Sequence, residues 1–519
     1  MSQPTPSVGA STVTVSERQA RSMPGRRPFI GPLPPPLTGM DALFGRAWPD
    51  RRTPGRPRLV VAAAVVAASA ALILPGSEPG AGLLLILLGA SGVVASALLP
   101  MANRKTMAAL VLAALLLTPI VLRDAGWVVA LCLLAAFVVA AGALVQSQSV
   151  TGMVVGALAV PMAWLRGLPW LRRCFATLPN SARAWSLVRT AVISLGLLMI
   201  FGALFSSADA LFAQWMRAVL PQLSLDDLPF RVAIFVLVAA ATLAGVFVAL
   251  APPAVQRLTP RRPRPVGRWE WAVPVAAVAG LFVTFLAAQL TALFGGHDYL
   301  RRTTGLTYAE YVHQGFGQMT VAAAIVLLLV AVVARRAPRR LAADRLLLRI
   351  LLGGLCLLTL VIIASALYRI QVYEQAYGFT RLRLLVTAFE LWLGIVLLLV
   401  ATAGVRLRGI WVPKAAVFVG AVMLLGLAWA NPDSMIAERN LERFSTTGDI
   451  DWRYLQELSA DAVPTLSTLP EPYRSCVLSQ FRVGRQTWVD WNLGRQRADA
   501  VVITQPAGDT SGCYSLRSR

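Results

Sequence analysis

Long apolar runs recur along this chain, and they restrict what it can fold into. The segments 81–99, 126–145 and 272–294 each hold about 20 successive residues without a charged side chain. A helix of that length crosses the roughly 30 Å hydrocarbon core of a bilayer and satisfies its own backbone hydrogen bonds. No alternating ten-residue pattern indicates a membrane barrel. We therefore predict an all-α, polytopic membrane protein.

The apolar runs predict about eleven transmembrane helices. Their approximate bounds are 59–75, 81–99, 107–122, 126–145, 188–208, 230–251, 272–294, 318–334, 347–367, 384–403 and 413–430. The composition excludes an ordinary soluble protein of this length, because 57% of the residues are hydrophobic and only 14% are charged.

The distribution of basic residues predicts the sidedness of the chain. Lys and Arg outnumber Asp and Glu by 48 to 25. Most of them fall in the N-terminal tail and in alternate connections, which are 103–105, 146–187, 257–268, 335–349 and 406–414. Basic connections stay on the cytoplasmic side, where the leaflet is anionic. We therefore expect a plasma-membrane protein with a cytoplasmic N-terminus, an extracytoplasmic C-terminus and the anionic inner leaflet as a partner.

One segment, 150–165, is long enough for a short twelfth span or a re-entrant helix. Counting it as a span would place the later basic connections outside and reverse the charge pattern. Pro161 and the following WLRGLPWLRR instead favour an amphipathic helix lying on the inner surface.

The resulting organisation has five parts. Residues 1–58 form a basic, Pro-rich and disordered cytoplasmic tail; 59–145 hold transmembrane helices 1–4; 146–187 form the interfacial segment; 188–430 hold helices 5–11; and 431–519 form a small, mainly helical extracytoplasmic domain. The tail lacks the interleaved aromatic residues of a nucleic-acid-binding segment, so we expect no nucleic acid. Cys476 and Cys513 lie in the C-terminal part, where an oxidising exterior permits either a disulfide or two unpaired thiols.

Motifs for common chemistries are missing from the sequence. It contains no phosphate-binding loop, no G-x-S-x-G elbow, no H-E-x-x-H and no paired C-x-x-C. Because His297 and His313 are the only histidines and no cysteine lies near them, we expect no metal and no cofactor.

Glu390 is the strongest candidate for a functional residue. It falls inside a predicted span, roughly 10 Å below the outer boundary. A charge in hydrocarbon costs on the order of 3 kcal/mol, so such a residue is paired, protonated or lining a cavity. Function and simple packing both remain open for it.

The predicted topology gathers further polar residues near the same outer side. They lie around the connection 367–385 and the neighbouring span ends, and are Asp209, Gln289, Glu310, His313, Arg369, Glu374 and Arg381. Each has a structural explanation as well, either as an interfacial side chain or as a solvated surface pair.

Several strings resemble a bacterial polytopic membrane family. They are LRDAGW (122–127), FGALFSSADALF (201–212), EW through LFGG (270–296), GLTYAEYVHQGF (305–316), YGFTRLRLL (377–385), NPDSMIAERNLER (431–443), TGDIDWRYLQELSADAVPTL (447–466) and DWNLGR (490–495). The family is known as the domain of unknown function 4173 group, which is related to the 4153 group. The resemblance implies a plasma-membrane protein with many spans and an exterior C-terminal region. It implies no reaction.

Three functions are compatible with these observations. We favour a non-enzymatic component of the cell envelope, transporter-like or a sensor or scaffold, whose outward polar cluster faces an envelope ligand or protein partner. Transport predicts broken helices and a cavity at mid-depth. One alternative is a membrane-embedded enzyme acting on a lipid-linked or envelope substrate, with Glu390, Asp209 or Glu310 as acid or base, which requires carboxylates that converge. The other is a structural platform that presents the C-terminal domain, which predicts tightly packed spans and a Glu390 capped by a neighbour.

Overall fold

Helices form all the regular secondary structure in the part of the chain that the structure describes. This computed structural model describes Trp48 and residues 53–145, 150–177, 227–254, 266–294, 316–407, 409–481 and 486–504, with isolated positions between 186 and 209 and at 484, 508 and 513. The first helices are α1 (Pro57–Ile73), α2 (Ala81–Leu98), α3 (Arg104–Leu115), α4 (Pro119–Leu122), α5 (Gly126–Val145), α6 (Val150–Arg166) and α7 (Leu168–Ala176). Then come α8 (Leu228–Leu250), α9 (Arg268–Phe294), α10 (Phe316–Arg336), α11 (Ala342–Tyr377), α12 (Arg381–Arg406) and α13 (Val412–Trp429). The last are α14 (Pro432–Thr447), α15 (Trp452–Gln456), α16 (Val463–Leu466), α17 (Tyr473–Leu478) and α18 (Leu493–Thr504).

Within these described ranges, nine helices are long and apolar enough to cross a membrane. They are α2, α3 continued by α4, α5 and each of α8 to α13. They coincide with nine of the eleven predicted spans. Helix α1 matches the first predicted span but has 17 residues, and most of the predicted span 188–208 lies outside the described residues. The chain is therefore a polytopic all-α membrane protein, as its apolar runs predict.

The spans pack around two apolar cores. Helices α3, α4, α5 and α13 share one core, which includes Leu116, Ile120 and Leu425. Helices α9 to α12 share the other, which includes Leu355 and Leu397. Helix α8 packs against α1, α2 and α6. On α1 the buried residues are Ala63, Ala67 and Ala70, because small side chains let helices in a membrane approach closely.

Helix α11 is much longer than a membrane span. Its 36 residues extend over about 54 Å, compared with a hydrocarbon core of roughly 30 Å. The helix is therefore longer than the hydrocarbon core, and polar residues occupy both of its ends. The polar stretch 367–385, expected as an outer connection, consists of the end of α11, the turn 378–380 and the first residues of α12.

Helices α6 and α7 pack with Trp48 at the end of the bundle opposite the C-terminal end of α11. Helices α6 and α7 form a pair bent by 51° around Gly167, and Pro161 lies inside α6. Trp48 is buried; its indole Nε1 donates to the Ala251 carbonyl at 2.8 Å, and its own carbonyl accepts from Arg166 at 3.0 Å. Trp48 is therefore packed against the helices although it lies within the predicted tail, residues 1–58, because its aromatic side chain can be buried. By length and composition, the bent pair also fits a broken span or a re-entrant loop, so the interfacial placement stays a prediction.

Helices α14 to α18, residues 432–504, form a layer that we call the C-terminal cap. Its core is apolar and includes Ile436, Leu455, Val463 and Leu466. Cys476 and Cys513 are joined by a disulfide with their Cα atoms 5.6 Å apart. Phe379 and Leu384, at the junction of α11 and α12, pack against this core, so the cap and the bundle share apolar contacts.

Candidate functional site

Glu390 is buried between spans. It lies nine residues into α12, about 14 Å along the helix from Arg381, and is 1% exposed. The Thr320 hydroxyl of α10 donates a hydrogen bond to Glu390 Oε1. Glu390 Oε2 is also buried, and no hydrogen-bond partner for it occurs among the described residues. The carboxyl group is therefore capped on one oxygen by a neighbouring span.

A second polar contact lies beside the first. The Ser365 hydroxyl of α11 donates to Gln289 Oε1 at 2.6 Å, and Gln289 Nε2 on α9 lies 3.5 Å from Met319 Sδ. Met319 directly precedes Thr320, so the two contacts together link α9, α10, α11 and α12. Side-chain hydrogen bonds between spans stabilise the association of helices in a bilayer by a modest free energy, on the order of 1 kcal/mol each.

A cleft of about 330 Å³ opens next to Thr320. Apart from this hydroxyl its lining is apolar, and the lining residues are Gly317, Thr320, Leu385, Val386 and Phe389. Thr320 therefore faces the cleft and Glu390 at the same time. A ligand in this cleft would meet one hydroxyl group and an apolar wall.

The remaining predicted site residues are distributed over different surroundings. Glu310 and His313 lie outside the described residues. Asp209 is exposed, and Arg369 is half-buried on α11. Glu374 is buried near the end of α11, where the positive charges of Arg383 and Arg439 act on it. Arg381 has a partner that the sequence does not point to.

Arg381 forms a bidentate ion pair with Asp433 of the cap. Arg381 Nε and Nη2 donate to the two carboxylate oxygens at 3.0 and 2.5 Å. Asp433 is 0% exposed and also accepts from Trp127 Nε1 at 3.1 Å and from the Ser459 backbone N–H at 2.8 Å. Burial alone raises the pKa of Asp433, but the hydrogen bonds from Arg381 and Ser459 outweigh it and bring the pKa below its ordinary value. The pair joins the start of α12 to the first turn of α14.

Asp461 forms a second buried contact between the cap and the bundle. Its Oδ2 accepts the backbone N–H groups of Asp124 and Ala125 at 2.7 and 2.9 Å, just before α5. Its Oδ1 is buried and has no hydrogen-bond partner within the described ranges. Burial raises the pKa of Asp461, and the two N–H groups offset this effect only in part. A Cβ at Gly494 would lie 2.2 Å from Oδ1, so any other residue at this position would displace the Asp461 carboxylate.

Asn492 and Arg495 complete the junction. Asn492 is fully buried, and its Nδ2 donates to the carbonyls of Ile120 and Arg123 at 3.0 and 2.9 Å. Arg495 Nη1 donates to Asp124 Oδ1 at 2.9 Å. All these partners lie in α4 or in the connection between α4 and α5. Buried polar groups therefore hold the cap on the ends of the spans.

Sequence reasoning missed most of this junction. The predicted site residues include Arg381 without its partner, and they do not include Asp124, Asp433, Asp461, Asn492 or Arg495. A signal was nevertheless present. Every one of these residues falls in a string that carries the family resemblance, and each string follows a span or lies in the C-terminal region.

A family model described as a domain of unknown function, DUF4153, matches residues 106–469. The matched range includes Glu390, Arg381, Asp433 and Asp461 and ends before Asn492. No curated protein and no solved structure matches the chain significantly.

Proposed function

The chain belongs to the DUF4153 family, and from this premise we propose that it acts as a scaffold or sensor platform of the cell envelope. The chain is an integral, multi-pass membrane protein. In the proposed role its spans hold the cap in one fixed orientation toward an envelope ligand or protein partner. Within the wider group we place it in the related 4173 family, on the strings from Leu122 to Arg495 quoted above.

The observation that carries the proposal is the burial of Asp433 and Asp461. Both carboxylates belong to the cap, and both accept hydrogen bonds from the bundle, one from Arg381 and one from the backbone before α5. Buried polar groups contribute stability only when their partners are placed correctly, so such contacts select one arrangement of the two layers. A cap on a flexible tether would have no need for them.

A transporter-like role is the second candidate, and Glu390 favours it. Its Oε2 lacks a partner among the described residues, and Thr320 connects it to a cleft. Helices α9 to α13 are each continuous, however, and the bent pair of α6 and α7 lies at the other end of the bundle. An enzyme has the least support, because the buried carboxylates at the junction are already engaged by Arg381, Trp127 and backbone N–H groups.

The proposed sidedness places the cap outside the cell and the N-terminus inside, at the plasma membrane. Arg339 Nη1 donates to the Leu407 carbonyl at 3.0 Å, so two basic connections lie together at one end of the bundle. Helix α11 starts at that end and reaches the cap at its other end, where Arg443 donates to the Ala376 carbonyl. The basic residues would then face the anionic inner leaflet.

Thiol labelling in intact cells tests the sidedness. Glu442 lies on the cap and is 69% exposed, while Arg340 lies exposed in the basic connection at the other end. A reagent that does not cross membranes should modify a Glu442→Cys variant in intact cells and an Arg340→Cys variant only after lysis. Labelling in the opposite order would reverse the assignment.

Distance measurements test the platform itself. Spin labels at Glu442→Cys and Arg340→Cys report the separation of the cap from the far end of α11. We expect one narrow distance distribution in the wild-type background and a broad one after Asp433→Ala. A broad distribution in the wild-type background would contradict a rigid platform, whatever the sidedness.

A further inference from the structure

The turn 488–491 of the cap is attached directly to the first turn of α2. The backbone N–H of Ala81 donates to the Trp491 carbonyl at 3.1 Å, and that of Gly82 donates to the Val489 carbonyl at 2.9 Å. These bonds satisfy two of the four N–H groups that a helix leaves unpaired at its start. A Cβ at Gly80 would lie 2.5 Å from the Asp490 carbonyl carbon, so the two backbones are in close contact. The turn therefore has a fixed position on α2.

The position of α2 in the bilayer sets the depth of this turn. Helix α2 has 18 residues, about 27 Å, and a mean hydropathy of 2.2. Because this length is no greater than the thickness of a core of roughly 30 Å, a spanning α2 has no residues to spare, and its first turn must lie at the membrane boundary. The backbone of residues 489 to 491 must therefore lie at the same level.

Two tryptophans on this turn are exposed. Trp488 is 62% exposed and Trp491 is 38% exposed. Polar groups surround them: Asp490 accepts from the Thr487 hydroxyl at 2.7 Å and from the Glu78 N–H at 2.9 Å. Trp429, which ends α13 at the same end of the bundle, is also exposed. Protein segments that lie in the lipid headgroup layer typically carry tryptophan beside polar groups, as this turn does.

We propose that Trp488 and Trp491 insert into the lipid headgroup layer on the cap side of the membrane and seat the cap on the bilayer. The spans alone would hold the cap through the junction with Arg381 and Asp124. The tryptophans add a contact with lipid beside the first turn of α2. The inference does not depend on a platform function or on which leaflet faces the cytoplasm.

Spin-label accessibility tests the proposal. A nitroxide is placed at Trp488→Cys, in a full-length chain whose free cysteines, Cys132, Cys174 and Cys356, are replaced by alanine. The protein is reconstituted into vesicles of phosphatidylcholine and phosphatidylglycerol. Collision rates are measured with oxygen, which concentrates in lipid, and with a neutral nickel chelate, which stays in water.

The matched control is a label at Glu442→Cys on the same cap. Its neighbour Arg443 donates to Ala376, nine residues or about 14 Å beyond Leu367, where the apolar span is predicted to end. Glu442 should therefore lie in water.

The expected result is an oxygen-to-nickel collision ratio severalfold higher at position 488 than at 442. Equal ratios at the two positions would overturn the proposal and leave the tryptophans as an exposed surface for a protein partner. A second measurement uses only a conservative change: vesicles with lipids brominated near the headgroup should quench wild-type fluorescence more than that of Trp488→Phe, and identical quenching would likewise refute the contact.

Discussion

Replacing Asp433 by alanine should weaken the attachment of the cap more than any surface substitution on the same helix. Asp433 is fully buried and accepts four hydrogen bonds, two of them from Arg381. Removing one partner of a buried ion pair costs roughly 3–5 kcal/mol, because the other charge is left without compensation. The Arg381 side chain is 30% exposed, so water can partly solvate it after the change. We therefore expect the lower end, about 3 kcal/mol.

Urea titration with a brief protease pulse measures this effect in detergent, with cleavage of the cap as the signal. For a slope of about 1.5 kcal/mol per M urea, a loss of about 3 kcal/mol lowers the midpoint by about 2 M. The control is Glu442→Ala, which removes an exposed pair with Arg439 at 3.4 Å on the same helix. That change should cost less than about 0.5 kcal/mol. Equal shifts for the two variants would refute the assigned role of the buried pair.

The pH dependence of the cap gives an independent check on Asp433. Its folded-state pKa lies below the value of the unfolded chain, which is about 3.9. The stability from this pair is therefore complete above about pH 4 and is lost as the pH falls through the folded-state pKa. Asp433→Asn should remove this acid dependence. An unchanged acid transition in that variant would show that another group controls it.

Three further predictions follow from particular residues. For Asp461 the pKa shift has the opposite sign: the folded-state pKa is raised, so cap stability should decline as the pH rises above about 3.9 through that raised value, and Asp461→Asn should abolish the decline in a urea titration at several pH values. Reduction of the disulfide, which spans 37 residues, should lower the unfolding free energy of the cap by about 4 kcal/mol, and an unchanged midpoint with reductant would contradict this. Glu390→Gln should keep normal abundance and a thermal midpoint close to wild type, because the amide oxygen still accepts from Thr320 and no charge has to be buried. A large loss of stability in that variant would mean that the ionised carboxylate is required.

The architecture of the spans was predictable because it depends on local composition. A run such as 126–145 must be helical in a bilayer whatever surrounds it, since only a helix satisfies its backbone there. The exceptional position of Glu390 was predictable for the same reason, because a carboxyl group in an apolar run has an energetic cost that does not depend on its neighbours.

The partners of the polar residues were not predictable in this way. Arg381 and Asp433 are separated by 52 residues, and Asp124 and Arg495 by 371 residues. Hydrophobic periodicity does not indicate which of many charged side chains will meet across such separations. The sequence likewise predicts an outer connection at 367–385, whereas α11 continues through Tyr377, and Arg443 of the cap donates to the Gln375 and Ala376 carbonyls near its end.

The amino-acid order alone is thus enough to place the chain in a membrane, to locate its apolar spans and to identify the basic connections, because the free energy of transfer into lipid is a sum over neighbouring residues. The folded arrangement is needed to know that Thr320 donates to Glu390, that Arg381 and Asp124 bind the cap, and that the turn at Trp488 contacts α2. Those contacts depend on how whole helices align. Their alignment is determined by packing and by the pairing of buried polar groups across the complete chain.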